Sequence, residues 1–228
     1  MKRSEINATI KKFEALLKKY SFALPPFLSF TPEEWETKGH EYDEIRDNML
    51  GWDVTDYGMG DFEHLGLALI TIRNGNVKDE RYTKAYAEKI MMCSPGQISP
   101  MHFHWNKMED IINRGGGVIQ FTLYNAAEDE SLDMENDVLI CKDGRRYYVK
   151  PGEPIMLYPG ESLSLYPYCY HEFIIPEDSE DVLIGEVSMC NDDNTDNRFL
   201  KPLGRFPTIE EDEPAYRLLC TEYPTAKA

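Results

Sequence analysis

The sequence predicts a mainly β protein, a β-barrel or jelly roll with an N-terminal helical extension and a short C-terminal helical segment. Short apolar segments recur at regular spacing between about residues 65 and 190, separated by glycine and proline. The N-terminal part instead places apolar residues at helical spacing. Since 228 residues fit one domain, we expect a single domain with extensions over 1–64 and 191–228 and a β-barrel core over 65–190.

The N-terminal extension is expected to begin with an amphipathic helix over residues 5–20, whose apolar side chains lie near one face. These side chains are Ile6, Ile10, Phe13, Leu16, Leu17 and Tyr20. A second helix is predicted to start at Thr31, because threonine is a favoured N-cap and Pro32 suits the first helical position. The mixed stretch from Trp35 to Tyr57 predicts loop and short helix.

The region from about residue 65 is predicted to form short strands. In Val118–Tyr124 apolar and polar residues alternate, as in a strand with one buried face. The turn residues Lys142–Arg145 predict a hairpin between two such segments. The other predicted strands are Leu67–Arg73, Tyr82–Met92, Val138–Cys141, Arg146–Val149, Pro154–Tyr158, Ser162–Tyr166, Tyr170–Ile174 and Val182–Ser188. After Asn191 the chain is polar, and Ile209–Cys220 is predicted to form a closing helix.

The composition argues against several classes of partner. The 24 basic and 41 acidic residues give a formal net charge of -17, and such a surface repels the phosphate backbone of nucleic acids. No apolar run reaches the ~18 residues of a membrane-spanning helix, and the first residues lack the apolar stretch of a signal peptide. Five irregularly spaced cysteines argue against a disulfide framework, so we expect reduced thiols and a cytoplasmic location.

One segment carries a metal-binding pattern. His102 and His104 are two residues apart, so on a strand their imidazoles project from the same face and can bind one ion. Glu109 follows five residues later, and His171 lies on a later predicted strand. Nitrogen and carboxylate ligands together suit manganese, iron, nickel, cobalt or zinc rather than calcium. The remaining histidines, His40 and His64, lie in the polar N-terminal region and are expected to have surface or capping roles.

This segment resembles the first cupin motif, in which a glycine precedes His-x-His, a glutamate and a second glycine at set spacings. The matching residues are Gly96, His102, His104, Glu109 and Gly116. The second cupin motif normally joins Pro-x-Gly closely to a histidine, whereas here Pro159–Gly160 precedes His171 by a longer gap. His171 is still the expected ligand, because the predicted β region contains no further histidine.

A finer resemblance covers nearly the whole chain and is to the bacterial D-lyxose ketol-isomerase family. The segments that carry it are residues 1–4, 24–27, 50–55, 101–105, 109–117 and 192–199. The resemblance implies an aldose–ketose isomerase of the cupin type that uses Mn²⁺ and interconverts D-lyxose and D-xylulose. It also implies D-mannose and D-fructose as secondary substrates.

Such a reaction moves a proton between C2 and C1 through an enediol, so a base is required beside the metal. Lys89 and Glu186 are the candidates on predicted strands. The acidic residues Asp192, Asp193 and Asp196 are further possible bases, although a solvated polar loop suits them better.

The cations expected to bind the sugar are Lys107, Arg114 and Arg205. Aromatic residues near the site, Phe103, Trp105, Tyr166, Tyr168 and Tyr170, could line the pocket or belong to the core.

Three other functions remain open at this point. An Fe²⁺-dependent cupin dioxygenase could use the same four ligands, and a non-catalytic sugar-binding cupin could keep them for structure. A phosphosugar isomerase would need a cationic phosphate pocket, which a chain of charge -17 does not indicate. By analogy with related folds, we also expect a homodimer.

Overall fold

The computed structural model describes residues 1–192 and 195–227. Within them lie the helices α1 (Arg3–Lys19), α2 (Pro32–Trp35) and α3 (Asp43–Asp47). The strands are β1 (Gly51–Thr55), β2 (Leu67–Arg73), β3 (Tyr86–Cys93), β4 (Ile98–Phe103), β5 (Glu109–Gly115), β6 (Ile119–Ala126), β7 (Leu132–Asp133), β8 (Val138–Lys142), β9 (Arg145–Val149), β10 (Ile155–Leu157), β11 (Ser162–Leu165), β12 (Cys169–Ile174), β13 (Val182–Met189) and β14 (Arg198–Phe199). The prediction of a mainly β fold is confirmed.

The strands form two antiparallel sheets that face each other. One sheet has eight strands in the order β1-β2-β3-β13-β5-β11-β8-β9, and the other has the order β10-β6-β12-β4-β14, with β7 added beside β6. Apolar side chains from both sheets fill the space between them, as the alternating pattern of β6 predicts. Phe121 of β6, Ile111 of β5 and Ile184 of β13 are examples from this core.

A second apolar core attaches the N-terminal helix to the outer face of the eight-stranded sheet. The apolar face of α1, including Phe13, packs on Trp52 of β1 and Ile70 of β2. The rings of Phe13 and Trp52 meet edge to face at 5.7 Å. The predicted helix over residues 5–20 is confirmed, and so is the start of α2, where Thr31 Oγ1 accepts a hydrogen bond from the Glu34 N–H.

Two sequence-based expectations about the extensions are wrong. The stretch Trp35–Tyr57, expected to be loop and short helix, also contains β1, which pairs with β2 over its full length. The closing helix expected over Ile209–Cys220 is not found in the described residues, where the chain is irregular, with bends and two isolated bridges. Its backbone groups pair with distant ones instead, because Pro214 interrupts a helix and the Cys220 N–H donates to the Trp52 carbonyl at 2.8 Å.

Candidate metal and sugar site

A cavity of about 70 Å³ lies between the two sheets at one end of the main core. Three histidines form one side of it. His102 of β4 and His171 of β12 are directly opposite each other in the antiparallel pairing, with ring centroids 4.1 Å apart. His104 follows β4 by one residue and its ring centroid lies 5.1 Å from that of His102. The predicted two-residue spacing therefore does bring both imidazoles to the same cavity.

Each of these imidazoles is oriented by a backbone carbonyl. The Nδ1 atoms of His102, His104 and His171 lie 2.7, 2.6 and 3.0 Å from the carbonyl oxygens of Pro100, Asp196 and Cys169. A carbonyl can only accept, so Nδ1 carries a proton in each ring, which leaves Nε2 as the nitrogen available to a metal. The buried Nε2 atoms of His104 and His171 have no hydrogen-bond partner within the described structure.

Glu109, the first residue of β5, brings a carboxylate to the same point. Its Oε1 lies 3.2 Å from His171 Nε2 and 3.6 Å from His104 Nε2. Burial raises the pKa of Glu109, but the Lys107 ammonium and His104 outweigh it and hold that pKa well below its usual range. Burial lowers the pKa of His102 and of His104, so both rings stay neutral and able to bind a metal.

The donor atoms fit a divalent transition metal. Possible ligand atoms of His102, His104 and His171 all lie within 4.8 Å of one another. Three imidazoles, oriented through their other nitrogen, and one nearby carboxylate are a usual ligand set for such ions. The four predicted ligands are therefore brought together, and the orphaned Nε2 atoms point to the ion they would bind.

The opposite side of the cavity carries a cluster of charged residues. Lys89 of β3 and Glu186 of β13 are register partners, with Nζ and Oε1 3.4 Å apart. Lys107 Nζ lies 3.2 Å from the same Glu186 oxygen and 2.6 Å from Glu109 Oε2. Lys107 therefore joins the charged cluster to the ligand set. The cluster is almost fully enclosed, since each of these side chains is at most 6% exposed.

A short segment near the C-terminus closes the site. β14 pairs with the end of β4, and the Phe199 ring lies 5.3 Å from that of His102. Asp196 is buried rather than solvated as the sequence suggested, because its carboxylate accepts the backbone N–H groups of Asn106 and Lys107. Its backbone carbonyl is the one that orients His104.

The remaining predicted site residues are distributed differently. Arg205 lines the cavity, where its guanidinium pairs with Asp53 at 2.5 Å. Arg114 is exposed on the face of β5 opposite to Glu109, because residues an odd number apart point to opposite faces, so the structure does not bring it to the site. Asp192 is paired with Lys78 at 2.6 Å outside the cavity lining, and Asp193 lies outside the described residues.

Sequence reasoning missed several residues of the cavity. Tyr57, Phe173 and Phe199 supply its aromatic lining. The aromatic residues proposed from the sequence are not among those that line the cavity, and Phe103 faces away from the histidines against the rings of Trp105, Tyr168 and Tyr170. That orientation of Phe103 follows from strand alternation, because Phe103 lies between His102 and His104. Tyr57 could not be found this way, since its left-handed backbone, φ 54°, places it in a turn.

Other expectations concern residues away from the cavity. His40 and His64 are exposed and pair with Asp43 and Asp61 at 2.8 and 2.9 Å, as their predicted surface roles require. The five cysteines are free, as expected from their spacing. Among the described residues, no helix has both the length and the apolar character needed to cross a membrane.

Comparison with known proteins gives the same family. A family model described as D-lyxose isomerase matches residues 1–223. A D-lyxose/D-mannose isomerase from Serratia proteamaculans is 47% identical over 224 residues, which cover 98% of both chains. The enzyme of that name from Escherichia coli O157:H7 is 46% identical with the same coverage.

The solved structures share the fold at much lower identity. The L-ribose isomerase of Acinetobacter sp. DL28 in complex with L-ribose superposes with a TM-score of 0.61 at 15% identity, over 91% of this chain and 98% of that one. The ligand-free L-ribose isomerase of Cellulomonas parahominis gives a TM-score of 0.60 at 14% identity with the same coverage. With the family model and two relatives above 45% identity, this chain belongs to the D-lyxose isomerase family, as predicted from its sequence.

Proposed function

We propose that the chain is a metal-dependent aldose–ketose isomerase that interconverts D-lyxose and D-xylulose, with D-mannose and D-fructose as secondary substrates. One observation supports this most: three oriented histidines and Glu109 share an enclosed cavity with the charged cluster of Lys89, Lys107 and Glu186. The names of the Serratia and Escherichia relatives support the choice of sugars.

The metal would be held by His102, His104, His171 and Glu109, and we propose Mn²⁺, with other divalent transition metals as substitutes. When bound there, such an ion supplies a Lewis acid for the negative charge that develops on O1 and O2 of the open-chain sugar. Backbone carbonyls orient the three histidine ligands.

Proton transfer is assigned to the charged cluster. Aldose becomes ketose when a proton leaves C2, a proton is added to C1, and the hydroxyl proton of O2 passes to O1, so the composition does not change. We assign Glu186 as the base that takes and returns the carbon-bound proton, since its carboxylate faces the ligand set across the cavity. Lys89 is proposed to move the hydroxyl proton, and its Nζ lies 3.4 Å from Glu186 Oε1.

Two further cations are proposed to hold the sugar. Lys107 lies between Glu109 and Glu186, so its ammonium can donate to a sugar oxygen next to the metal. Arg205 lines the same cavity and is braced by Asp53, which limits its motion. Arg114 is not included, because it is exposed away from the cavity.

The test is ketose formation from D-lyxose by chelator-stripped protein, with and without Mn²⁺, in air and under anaerobic conditions. We expect turnover that requires Mn²⁺, ignores oxygen and, in deuterated water, introduces deuterium at the carbon that gains a proton. Turnover that stops without oxygen would instead identify a dioxygenase. Metal and sugar binding without any turnover would identify a sugar-binding protein, and turnover of phosphorylated sugars alone would change the substrate class.

The oligomeric state and the cellular location are also proposed. We propose a homodimer, which sedimentation equilibrium tests directly. We also propose a cytoplasmic location, consistent with five free cysteines, which fractionation of the source cells would test.

A further inference from the structure

Asn191 contacts both lysines of the charged cluster. It lies two residues after the end of β13, and its Oδ1 accepts hydrogen bonds from Lys89 Nζ at 2.6 Å and Lys107 Nζ at 3.3 Å. The same two ammonium groups lie 3.4 and 3.2 Å from Glu186 Oε1. One neutral oxygen therefore links the two cations that flank the proposed base.

The backbone of Asn191 is held in turn by a second asparagine. Asn74 Oδ1 accepts the Asn191 N–H at 2.9 Å, and Asn74 Nδ2 donates to the Asn191 carbonyl at 3.0 Å. A primary amide carries a donor and an acceptor side by side, so it satisfies both backbone groups of one residue as a neighbouring strand would. Asn74 is itself buried, and its carbonyl accepts a hydrogen bond from Asn48 Nδ2 at 3.2 Å.

We propose that Asn191 is a positioning residue for the isomerase reaction and that Asn74 holds it in place. The inference rests on the proposed function, since it concerns the geometry of Lys89, Lys107 and Glu186 during proton transfer. An amide oxygen orients two ammonium groups without adding negative charge beside the carboxylates of Glu186 and Glu109, which these lysines already contact. In an enclosed cavity such contacts are poorly screened, so the loss of one alters the geometry of the whole cluster.

The first variant is Asn191→Leu, which keeps the side-chain size and removes the acceptor. We expect kcat to fall by ~10–100-fold, because small displacements of reacting groups have effects of that size. Mn²⁺ affinity should not change, because the hydrogen bonds described for Asn191 reach Lys89, Lys107 and Asn74 and none of the four proposed ligands. Binding of a pentitol, which cannot be isomerised, should also remain close to that of the wild type.

The second variant, Asn74→Asp, tests whether the Asn74 side chain fixes the backbone of Asn191. It keeps the size and the acceptor of Asn74 but removes the donor to the Asn191 carbonyl. Its matched control is Asn125→Asp, the same amide-to-carboxylate change at a residue outside the cavity lining, where the lost donor also serves a backbone carbonyl, that of Asp137 at 3.2 Å. We expect Asn74→Asp to lower kcat and Asn125→Asp to leave it unchanged.

The measurements are kcat, KM, Mn²⁺ and pentitol binding by calorimetry, and thermal melting to establish folding. A lower kcat with both bindings retained in either folded variant supports the inference. Wild-type kcat in the folded variants overturns it, and so does an equal loss of kcat, pentitol binding and Mn²⁺ binding, which would show a merely structural role. A wild-type protein that isomerises no aldose would overturn the proposed function and this inference together, a result distinct from active wild type with unaffected variants.

Discussion

The histidine side of the cavity is held by local contacts, whereas the charged side is held by contacts between distant parts of the chain. His102 and His171 each bond the carbonyl of the residue two positions earlier. Lys89 and Asn191 are 102 residues apart, and Lys107 and Glu186 are 79 residues apart. The ligands therefore depend mainly on two strands and their register, while the proton-transfer groups depend on the packing of the whole eight-stranded sheet.

This difference suggests that the two sides can be disabled separately. His104 is the exception on the histidine side, because its carbonyl partner belongs to Asp196, 92 residues away. Lys107 is the contact between the sides, through Glu109. Variants on each side should show whether metal binding and proton transfer fail independently, as this comparison predicts.

Removal of one ligand should have the largest effect. We expect His102→Ala to weaken Mn²⁺ binding by more than ~100-fold. Losing a residue that only orients a ligand weakens metal binding by up to about that factor, and His102 is itself a proposed ligand. Isomerase activity at micromolar Mn²⁺ should disappear as a result. The control is His64→Ala, an exposed histidine paired only with Asp61 among its described contacts. Calorimetric Mn²⁺ titration checks this, and unchanged affinity in His102→Ala would remove His102 from the ligand set.

Replacement of the proposed base should affect turnover alone. We expect Glu186→Gln to lower kcat by ~10²–10⁴-fold, the usual contribution of general acid–base catalysis. Mn²⁺ binding should be retained, because Glu186 faces the ligands across the cavity. Glu88→Gln, on the adjacent strand and paired with Arg73 at the surface, is the matched control. If Glu186→Gln lost Mn²⁺ as well, the two sides would not be separable.

A smaller effect is expected where the histidine side uses a long-range contact. Asp196→Asn replaces one acceptor oxygen by a donor facing a backbone N–H, and so loosens the segment that orients His104. We expect ~10-fold weaker Mn²⁺ binding, because the backbone carbonyl that contacts His104 is kept. This is the lower end of the effect of losing a residue that orients a metal ligand. Asp129→Asn, an exposed turn residue, serves as the control. Equal Mn²⁺ affinities in the two variants would contradict this role for Asp196.

The smallest effect concerns the stability of the metal-free protein. The pKa values of His102, His104 and Glu109 are all below their usual range; burial is the main cause for the histidines, and in Glu109 nearby Lys107 and His104 overcome it. The unfolded state then binds more protons below about pH 6.5, so the free energy of unfolding decreases as the pH falls. We expect Tm to decrease from pH 7 to pH 5, and less steeply in His102→Asn. An identical slope in that variant would refute the prediction.

The sequence was informative wherever a short-range rule decides the structure. Amphipathic spacing predicted α1, alternation predicted β6, and the turn at Lys142–Arg145 predicted the hairpin whose strands pair Val138 with Val149. Alternation could also have excluded Arg114, since it lies an odd number of residues from Glu109 on the same strand. The mixed composition of Trp35–Tyr57 concealed β1, because both faces of that strand are covered and no alternation appears.

By itself, the sequence determined the fold class, the family and the four residues that converge as candidate ligands, because strand periodicity and motif spacing act over a few residues. Only the tertiary structure decided that Asp196 is buried, that Arg205 pairs with Asp53, and that Asn191 joins Lys89 to Lys107. These contacts join segments that are 84 to 152 residues apart. The register of the sheets and the path of residues 196–199 determine which of these residues meet, and no local sequence pattern encodes either.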